Sequence, residues 1–231
     1  MTAVLVGGGG LAPWVWSRVT PILQPHGMRV VTPQLRATGD DATTPAQVTL
    51  DDWIDDLVAA IDAEAEVTLV AHSFAGYVAA GALGRMVRNV RAVLFVDAVL
   101  PVPGASWFQT MGAEVEEFMR SIARNGATPW FTRQQLDAMY AGHGFSHADM
   151  TWMEEHVTPQ PLGTFTQVAT DRPIASLAPD VALHYLRCTR TSPPAASITS
   201  ATPGWSFSTL DSSHWPMVTA PDALSRSILA L

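Results

Sequence analysis

The chain has 231 residues, of which 48% are hydrophobic and 15% charged, and its formal net charge at pH 7 is −8. This size suits one domain with an insertion, and the acidic balance argues against nucleic acid or an anionic membrane as a partner. All thirteen basic residues are arginine, which excludes lysine Schiff-base chemistry and a phosphate-binding P-loop lysine.

Short apolar runs alternate with longer amphipathic segments, a pattern typical of a mainly parallel sheet flanked by helices. Strands are predicted at residues 3–6, 28–33, 66–71, 90–98, 181–188 and 205–210. Helices are predicted at residues 14–24, 50–63, 74–87 and 219–230. Asp51 and Asp52 open the second helix, where negative charge suits the positive helix N-terminus.

The alternation stops between the fourth and fifth predicted strands. We therefore predict an α/β core at residues 1–100 and 172–231 and a helical cap at residues 101–171. The cap is rich in aromatic residues and Met, which pack a small core of their own or line an adaptable apolar pocket. The predicted pocket residues, including some from the core, are Gly8, Gly10, Trp107, Phe108, Trp130, Phe131 and Trp215.

The stretch "VTLVAHSFAG" places Ser73 between a predicted strand and a predicted helix. In a Gly-x-Ser-x-Gly elbow, a sharp strand-to-helix turn exposes the serine Oγ, and the residues two before and two after it must be small. Ala71 and Ala75 occupy those positions here. The context therefore predicts a nucleophile elbow at Ser73.

Two backbone N–H groups are candidates for stabilising an oxyanion. One belongs to Phe74, the residue after the serine. The other is expected in the loop "LVGGGGLAPWVW", where Gly9 is the first choice and Gly8 or Gly10 the alternatives. A phosphate-binding loop is the competing interpretation, but the loop has neither a GxGxxG nor a GxxxxGK pattern.

A serine hydroxyl needs a base to become a good nucleophile. In folds with this elbow the base is a histidine after the last strand, and His214 occupies that position here. His72 adjoins Ser73, so we expect its ring to point elsewhere and to be packed. Three further histidines lie in the cap without the spacing of a metal site: His143, His147 and His156. No motif implies a metal or another cofactor.

Taken together, these segments resemble the small α/β-hydrolases of the esterase and hydroxynitrile-lyase type, which include plant methyl-ester esterases. The resemblance extends over nearly the whole chain, through "LVGGGGLAPWVW", "VTLVAHSFAG", "LFVDAVLPVPG", "TPQPLGTF", "YLRCT" and "SSHWPMVTAPDAL". It implies an α/β-hydrolase fold, with Ser73 as nucleophile, His214 as base, and Gly9 and Phe74 as oxyanion donors.

Three positions depart from the family pattern. The residue before the first loop glycine is Gly7 rather than histidine, and alanines flank the serine. Relatives carry the catalytic aspartate just after the "YLRCT"-type strand, where this chain has Thr191. Asp97, after the fourth strand, is the substitute candidate, although a purely structural role is the alternative. Asp211 is expected to cap or orient the loop before His214.

Three functions are compatible with these residues. The first is hydrolysis of a hydrophobic ester, lactone or thioester through an acyl-serine intermediate. The second is non-hydrolytic chemistry on the same scaffold, as a lyase, cyclase or cofactor-free oxygenase in small-molecule biosynthesis. The third is a degenerate hydrolase that only binds a ligand. A hydrophobic small molecule is the expected partner in each case.

The expected compartment is the cytoplasm. The chain has one cysteine, Cys188, which cannot form an internal disulfide and lies in an apolar strand-like run. The N-terminus has no basic segment and no apolar stretch of signal length, and no segment approaches the length that spans a bilayer.

Overall fold

The computed structural model describes residues 1–85, 88–192 and 195–231. Six strands form one parallel sheet, and two short strands form a separate antiparallel pair. The strands are β1 (Thr2–Val6), β2 (Arg29–Val31), β3 (Val67–His72), β4 (Val90–Val96), β5 (Ala127–Thr128), β6 (Gln160–Pro161), β7 (Ala182–Cys188) and β8 (Ser206–Leu210). The order in the large sheet is β2-β1-β3-β4-β7-β8, and β5 pairs with β6.

The α-helices of the described residues cover both faces of the large sheet and fill the segment between β4 and β7. They are α1 (Thr20–Leu23), α2 (Leu50–Asp62), α3 (Ala75–Gly84), α4 (Trp107–Met111), α5 (Ala113–Ile122), α6 (Arg133–Met139), α7 (His147–His156), α8 (Ile174–Leu177), α9 (Pro216–Thr219) and α10 (Pro221–Leu229). None of these helices is both long and apolar enough to cross a membrane.

All six predicted strands of the large sheet are confirmed, with ends that differ by no more than two residues. Their side chains alternate between two apolar layers. In β1, Val4 and Val6 join one layer, whereas Ala3 and Leu5 join the other. Both faces of the sheet are therefore covered, as expected for a parallel sheet between helices.

One predicted helix is wrong as a continuous element. The segment 14–24 forms a 3₁₀ turn at Pro13–Trp16, then the short helix α1, then another 3₁₀ turn at Gln24–His26. Pro21 and Pro25 cannot donate a backbone hydrogen bond, so a regular helix cannot run through them. The fourth predicted helix, 219–230, is confirmed as α10, which begins at Pro221 and follows the separate short helix α9.

The second and third predicted helices are confirmed in the described residues. Thr49 caps α2: its Oγ1 accepts from the Asp52 N–H at 3.4 Å, and its own N–H donates to Asp52 Oδ2 at 2.8 Å. α3 ends at Gly84, and the last two residues of its predicted span, 86–87, lie outside the described residues. Gly81 lets α3 approach α2, because a methyl group there would overlap the Ile54 side chain.

The segment between β4 and β7 contains α4 to α8 together with β5 and β6. Capping boxes begin three of its helices, at Ser106, Thr132 and Ser146, so the sequence fixes these starts locally. The division into a cap at residues 101–171 and a core on either side stays a proposal, which this arrangement of helices supports.

Candidate active site

The predicted functional residues follow neighbouring strands at one edge of the sheet. The glycines at 7–10 follow β1, Ser73 follows β3 and Asp97 follows β4, and these three strands lie side by side. His214 follows β8. Because the carboxyl ends of parallel strands meet at one edge, residues far apart in the sequence come together there.

Ser73 lies at a sharp turn between β3 and α3. Its backbone is left-handed, with φ of +54°, which is strained for a residue other than glycine. The Ser73 N–H donates to the Val96 C=O at 3.2 Å, and its C=O accepts from the Val99 N–H at 3.0 Å. Hydrogen bonds to the neighbouring strand therefore hold the strained turn in place. Ala71 and Ala75 are buried on either side of it.

Ser73, His214 and Asp97 form one hydrogen-bonded chain. His214 Nδ1 lies 2.7 Å from Asp97 Oδ2, and His214 Nε2 lies 2.9 Å from Ser73 Oγ. An ionised carboxylate can only accept, so Nδ1 carries the proton and the Nε2 lone pair faces the serine. In this tautomer the imidazole can take a proton from the Ser73 hydroxyl.

Asp97 is fully buried, and its backbone φ is +44°. Burial alone would raise the pKa of its carboxyl, but the hydrogen bond and charge of His214 outweigh burial and hold that pKa below its usual range. The Cys188 N–H also donates to Asp97 Oδ1, at 3.1 Å. Thr191 is buried nearby; its hydroxyl has no partner of acceptable geometry among the described residues, although it is close enough to add to the lowering of this pKa.

Some backbone N–H groups of the glycine loop and the elbow already donate a hydrogen bond within the protein, whereas others do not. The Gly8 N–H donates to His72 Nδ1 at 3.3 Å and is therefore occupied. The N–H groups of Gly9 and Phe74 donate to no acceptor in the described part of the chain. Gly8 packs against the serine, since a methyl group on it would lie 2.6 Å from Ser73 Cβ. The N–H groups of Gly9, next to the packed Gly8, and of Phe74, next to Ser73, are thus free donors.

His72 links the parts of the site. Its ring is packed, as expected, but the expectation that it points away from the site is wrong: the two ring centroids of His72 and His214 are 4.8 Å apart. Nδ1 accepts from the Gly8 N–H, so Nε2 carries the proton and donates to the His214 C=O at 2.8 Å. Burial first, and the charge of His214 second, lower the pKa of His72 to about 3. A neutral ring therefore joins the glycine loop to the His214 loop.

Aromatic side chains flank the site on two sides. On the His214 side, Tyr140 stacks on the imidazole with ring centroids 5.3 Å apart, and Trp215 contacts Tyr140 at 4.8 Å. On the Phe74 side, the Phe165 ring lies 5.1 Å from Phe74. The predicted pocket residues join these two groups: Trp130 and Phe131 pack with Tyr140 and Trp215, and Trp107 and Phe108 pack on Phe165, while Gly10 lies against Trp130.

A family model described as "Alpha/beta hydrolase family" matches residues 3–226 of the chain. The chain belongs to the alpha/beta hydrolase family. Within the family it resembles esterases, including plant methylesterases and polyneuridine aldehyde esterase. The resemblance proposed from the sequence and the predicted fold class are thereby confirmed.

Two curated relatives and one solved structure illustrate the likeness. The chain is similar to a carbendazim hydrolyzing esterase of a Nocardioides species, with 34% identity over 106 residues, which is 45% of this chain and 44% of that protein. It is similar to putative methylesterase 12, chloroplastic, of Arabidopsis thaliana, with 28% identity over 176 residues, 69% of this chain and 50% of that protein. The chain thus spans half or less of the length of these two relatives.

The fold of this alpha/beta hydrolase matches that of an extracellular alpha/beta-hydrolase from a Paenibacillus species. The two proteins share 19% sequence identity and align with a TM-score of 0.84. The alignment covers 100% of this chain and 98% of the Paenibacillus chain. At this identity, the likeness concerns the fold alone.

The side chains of the remaining candidate residues make no hydrogen bond to Ser73, His214 or Asp97 within the described residues. Among residues 1–85, 88–192 and 195–231, no group of three or more His, Cys, Asp or Glu side chains is placed to hold a metal ion. In the cap, His143 contacts Asp137 at 3.1 Å. Asp211 accepts from Arg190 at 2.9 Å and so joins the loops after β7 and β8. Cys188 is buried, and burial raises the pKa of its thiol.

Acid is expected to destabilise this protein through His72. The unfolded chain protonates this imidazole near pH 6.5, whereas the folded chain keeps it neutral down to about pH 3. Its contribution to the free energy of unfolding is therefore fully present above pH 6.5 and falls by up to about 1.4 kcal/mol per pH unit below it. Denaturant unfolding between about pH 7 and pH 5 measures this slope while carboxylates of ordinary pKa stay ionised.

The variant His72→Gln removes the titrating group, so unfolding should take up as much as one proton fewer. The slope of its free energy of unfolding against pH should therefore be smaller. His184→Gln is the comparison variant. His184 is only half-buried in β7, and burial lowers its pKa less than that of the fully buried His72, so its loss should reduce the slope less. A slope that is the same in wild type and His72→Gln would contradict this prediction.

Proposed function

We propose that this protein is a serine esterase that hydrolyses a hydrophobic ester, lactone or thioester through an acyl-serine intermediate. The observation that supports it best is the continuous hydrogen-bonded chain from Ser73 Oγ through His214 to Asp97. A base within 2.9 Å of a hydroxyl at a strained elbow is the arrangement that activates a serine.

In the proposed reaction, His214 Nε2 takes the Ser73 proton as Oγ attacks the substrate carbonyl carbon. The free N–H groups of Gly9 and Phe74 stabilise the oxygen that becomes negative. His214 then gives its proton to the leaving oxygen or sulfur as that bond breaks. A water molecule attacks the acyl-serine in the same way, which releases the acid and restores the serine hydroxyl. Asp97 stabilises the imidazolium in both steps.

The surroundings of Ser73 favour a hydrophobic substrate. Tyr140, Trp215, Trp130 and Phe131 lie towards His214, and Phe165 lies towards Phe74. Such a lining gains free energy from burying apolar surface and gives no counter-charge to an ionic ligand. The names of the relatives, a carbendazim hydrolyzing esterase and a methylesterase, agree with ester hydrolysis.

A fluorophosphonate probe tests the proposal, with the adduct located by mass spectrometry. We expect rapid labelling at Ser73, no adduct in Ser73→Ala, and slow labelling in His214→Ala. Ser176→Ala and His147→Ala are matched controls, since both side chains are exposed and lie outside the site. Absence of labelling in the folded wild type would contradict an activated serine.

Turnover of an ester panel separates hydrolysis from other chemistry on the same scaffold. Hydrolysis adds the mass of one water to the substrate, whereas isomerisation or cyclisation leaves its mass unchanged. Full turnover by Ser73→Ala on the preferred substrate would contradict the acyl-serine mechanism.

A further inference from the structure

The side chain of Gln160 lies beside the glycine loop on a backbone that is held from two sides. The Gln160 C=O accepts from Thr128 Oγ1 at 3.3 Å, where β5 and β6 pair. Two residues earlier, the Thr158 N–H donates to the Gly10 C=O at 3.0 Å. The segment that carries Gln160 is therefore tied directly to the loop that includes Gly9.

The orientation of the Gln160 amide follows from its partner. Thr164 Oγ1 donates its only proton to the Pro161 C=O, at 2.7 Å, so towards Gln160 it can only accept. The group 3.0 Å from Thr164 Oγ1 must then be the amide nitrogen, Nε2. The amide oxygen, Oε1, faces the opposite way, and a methyl group built on Gly9 would overlap it.

This oxygen is an acceptor without a donor. Gln160 is buried, with 9% of its surface exposed. Within the described residues no N–H or O–H donates to Oε1, and that includes the N–H of Gly9. The oxygen itself is not fully closed off from solvent, so water can reach it, and a bound ligand with a suitable donor would replace that water.

The ligand group that meets Oε1 must itself be a donor. The oxygen cannot face the developing oxyanion, because two electron-rich oxygens repel each other. It is therefore available to a substituent beside the reacting carbonyl. Around the loop, Ser73 and His72 are already engaged in the hydrogen bonds described above, and the side chain against Gly10 is the aromatic Trp130, so Oε1 is the side-chain acceptor there that is left for a ligand.

We propose that Gln160 Oε1 accepts a hydrogen bond from an N–H or O–H next to the reacting carbonyl of the substrate. The site then selects esters of the α-hydroxy or carbamate type over plain alkyl esters. This inference rests on the proposed esterase function and adds the substrate class. A site built around such a hydrogen bond discriminates strongly against an analogue that lacks the donor.

Two p-nitrophenyl esters of nearly equal shape test the inference: the 2-hydroxypropanoate, as separate enantiomers, and the 2-methylpropanoate, in which a methyl group replaces the hydroxyl. The measured quantity is the ratio of their kcat/KM values. We expect this ratio to fall about tenfold or more in Gln160→Met, which keeps the length of the side chain but replaces the amide oxygen by a thioether, a much weaker acceptor. Comparison between variants cancels the intrinsic difference in ester reactivity.

Gln167→Met is the matched control, because Gln167 bonds Asp51 rather than the glycine loop, and its ratio should equal that of the wild type. A measurement on the wild type alone avoids any folding defect: the 2-methoxypropanoate, which keeps the oxygen but lacks the donor, should react at least tenfold less efficiently than the 2-hydroxypropanoate.

The outcomes separate this inference from the function on which it rests. If the wild type hydrolyses both esters but Gln160→Met has an unchanged ratio, or slows both equally, the substrate class is overturned and the esterase function stands. If the folded wild type hydrolyses neither ester and is not labelled at Ser73, the proposed function fails and the inference fails with it.

Discussion

Asp97→Asn is expected to lower kcat by about 10⁴, because an amide cannot hold the productive His214 tautomer or stabilise an imidazolium. The carboxylate lies 2.7 Å from His214 Nδ1, has no exposed surface and receives a further hydrogen bond from the Cys188 N–H. Steady-state kinetics on a p-nitrophenyl ester measures the effect, and circular dichroism verifies that the variant is folded.

Asp211→Asn is the matched control for Asp97→Asn. Asp211 is only three positions before His214 in the sequence, but it is exposed and pairs with Arg190, so its loss should change kcat little. The double variant Asp97→Asn/Thr191→Asp returns an acid to the position where relatives carry it, and partial recovery of kcat is expected. Wild-type kcat in Asp97→Asn would contradict a catalytic role and leave Asp97 a structural residue.

Gly8→Ala is expected to lower kcat by about 10² with a smaller change in KM. The added methyl group would lie 2.6 Å from Ser73 Cβ and 3.2 Å from His72 Nδ1. Hydrogen bonds to Val96 and Val99 hold the serine backbone, so the glycine loop is the part that must move. That movement displaces the free Gly9 N–H, and misplacing or losing one oxyanion donor costs about 10² to 10³ in rate.

Gly84→Ala is the control for the effect of a glycine-to-alanine change. Gly84 ends α3, and among the residues that the structure describes a methyl group there meets only Leu177 Cδ2 at 3.9 Å, an ordinary contact. Its kcat should equal that of the wild type. If Gly8→Ala also leaves kcat unchanged, the close approach of the glycine loop to Ser73 is not required for turnover.

Particular residues explain how much of the fold the sequence predicts. β1 and β3 are short apolar runs rich in valine, and their length and branched side chains favour strands over helices. The failure lies at a proline: Pro21 lies inside the predicted helix 14–24, which has good apolar spacing, and the spacing alone does not reveal the interruption.

The sequence predicts those candidate site residues that are recognisable from the segments directly around them. Ser73 and His214 follow strands in the expected order, whereas the contact between His214 and Asp97 joins residues 117 positions apart and depends on strand order. The contacts of His72 depend on residues 64 and 142 positions away.

Gln160 was not among the predicted site residues, because only the position of Thr164 reveals which way its amide points. Tyr140 and Phe165 were missed because the sequence does not tell which aromatic side chains of the cap face the serine.

Ser73 and Asp97 share a left-handed backbone, with φ of +54° and +44°, at the ends of adjacent strands. Each such residue stores about 1–3 kcal/mol that a glycine would not store. Selection for heat resistance alone therefore favours the loss of side chains at the two positions where the proposed reaction needs them. Directed evolution of a more durable form of this protein has to screen turnover and melting temperature together, since its easiest stabilising changes would abolish the chemistry.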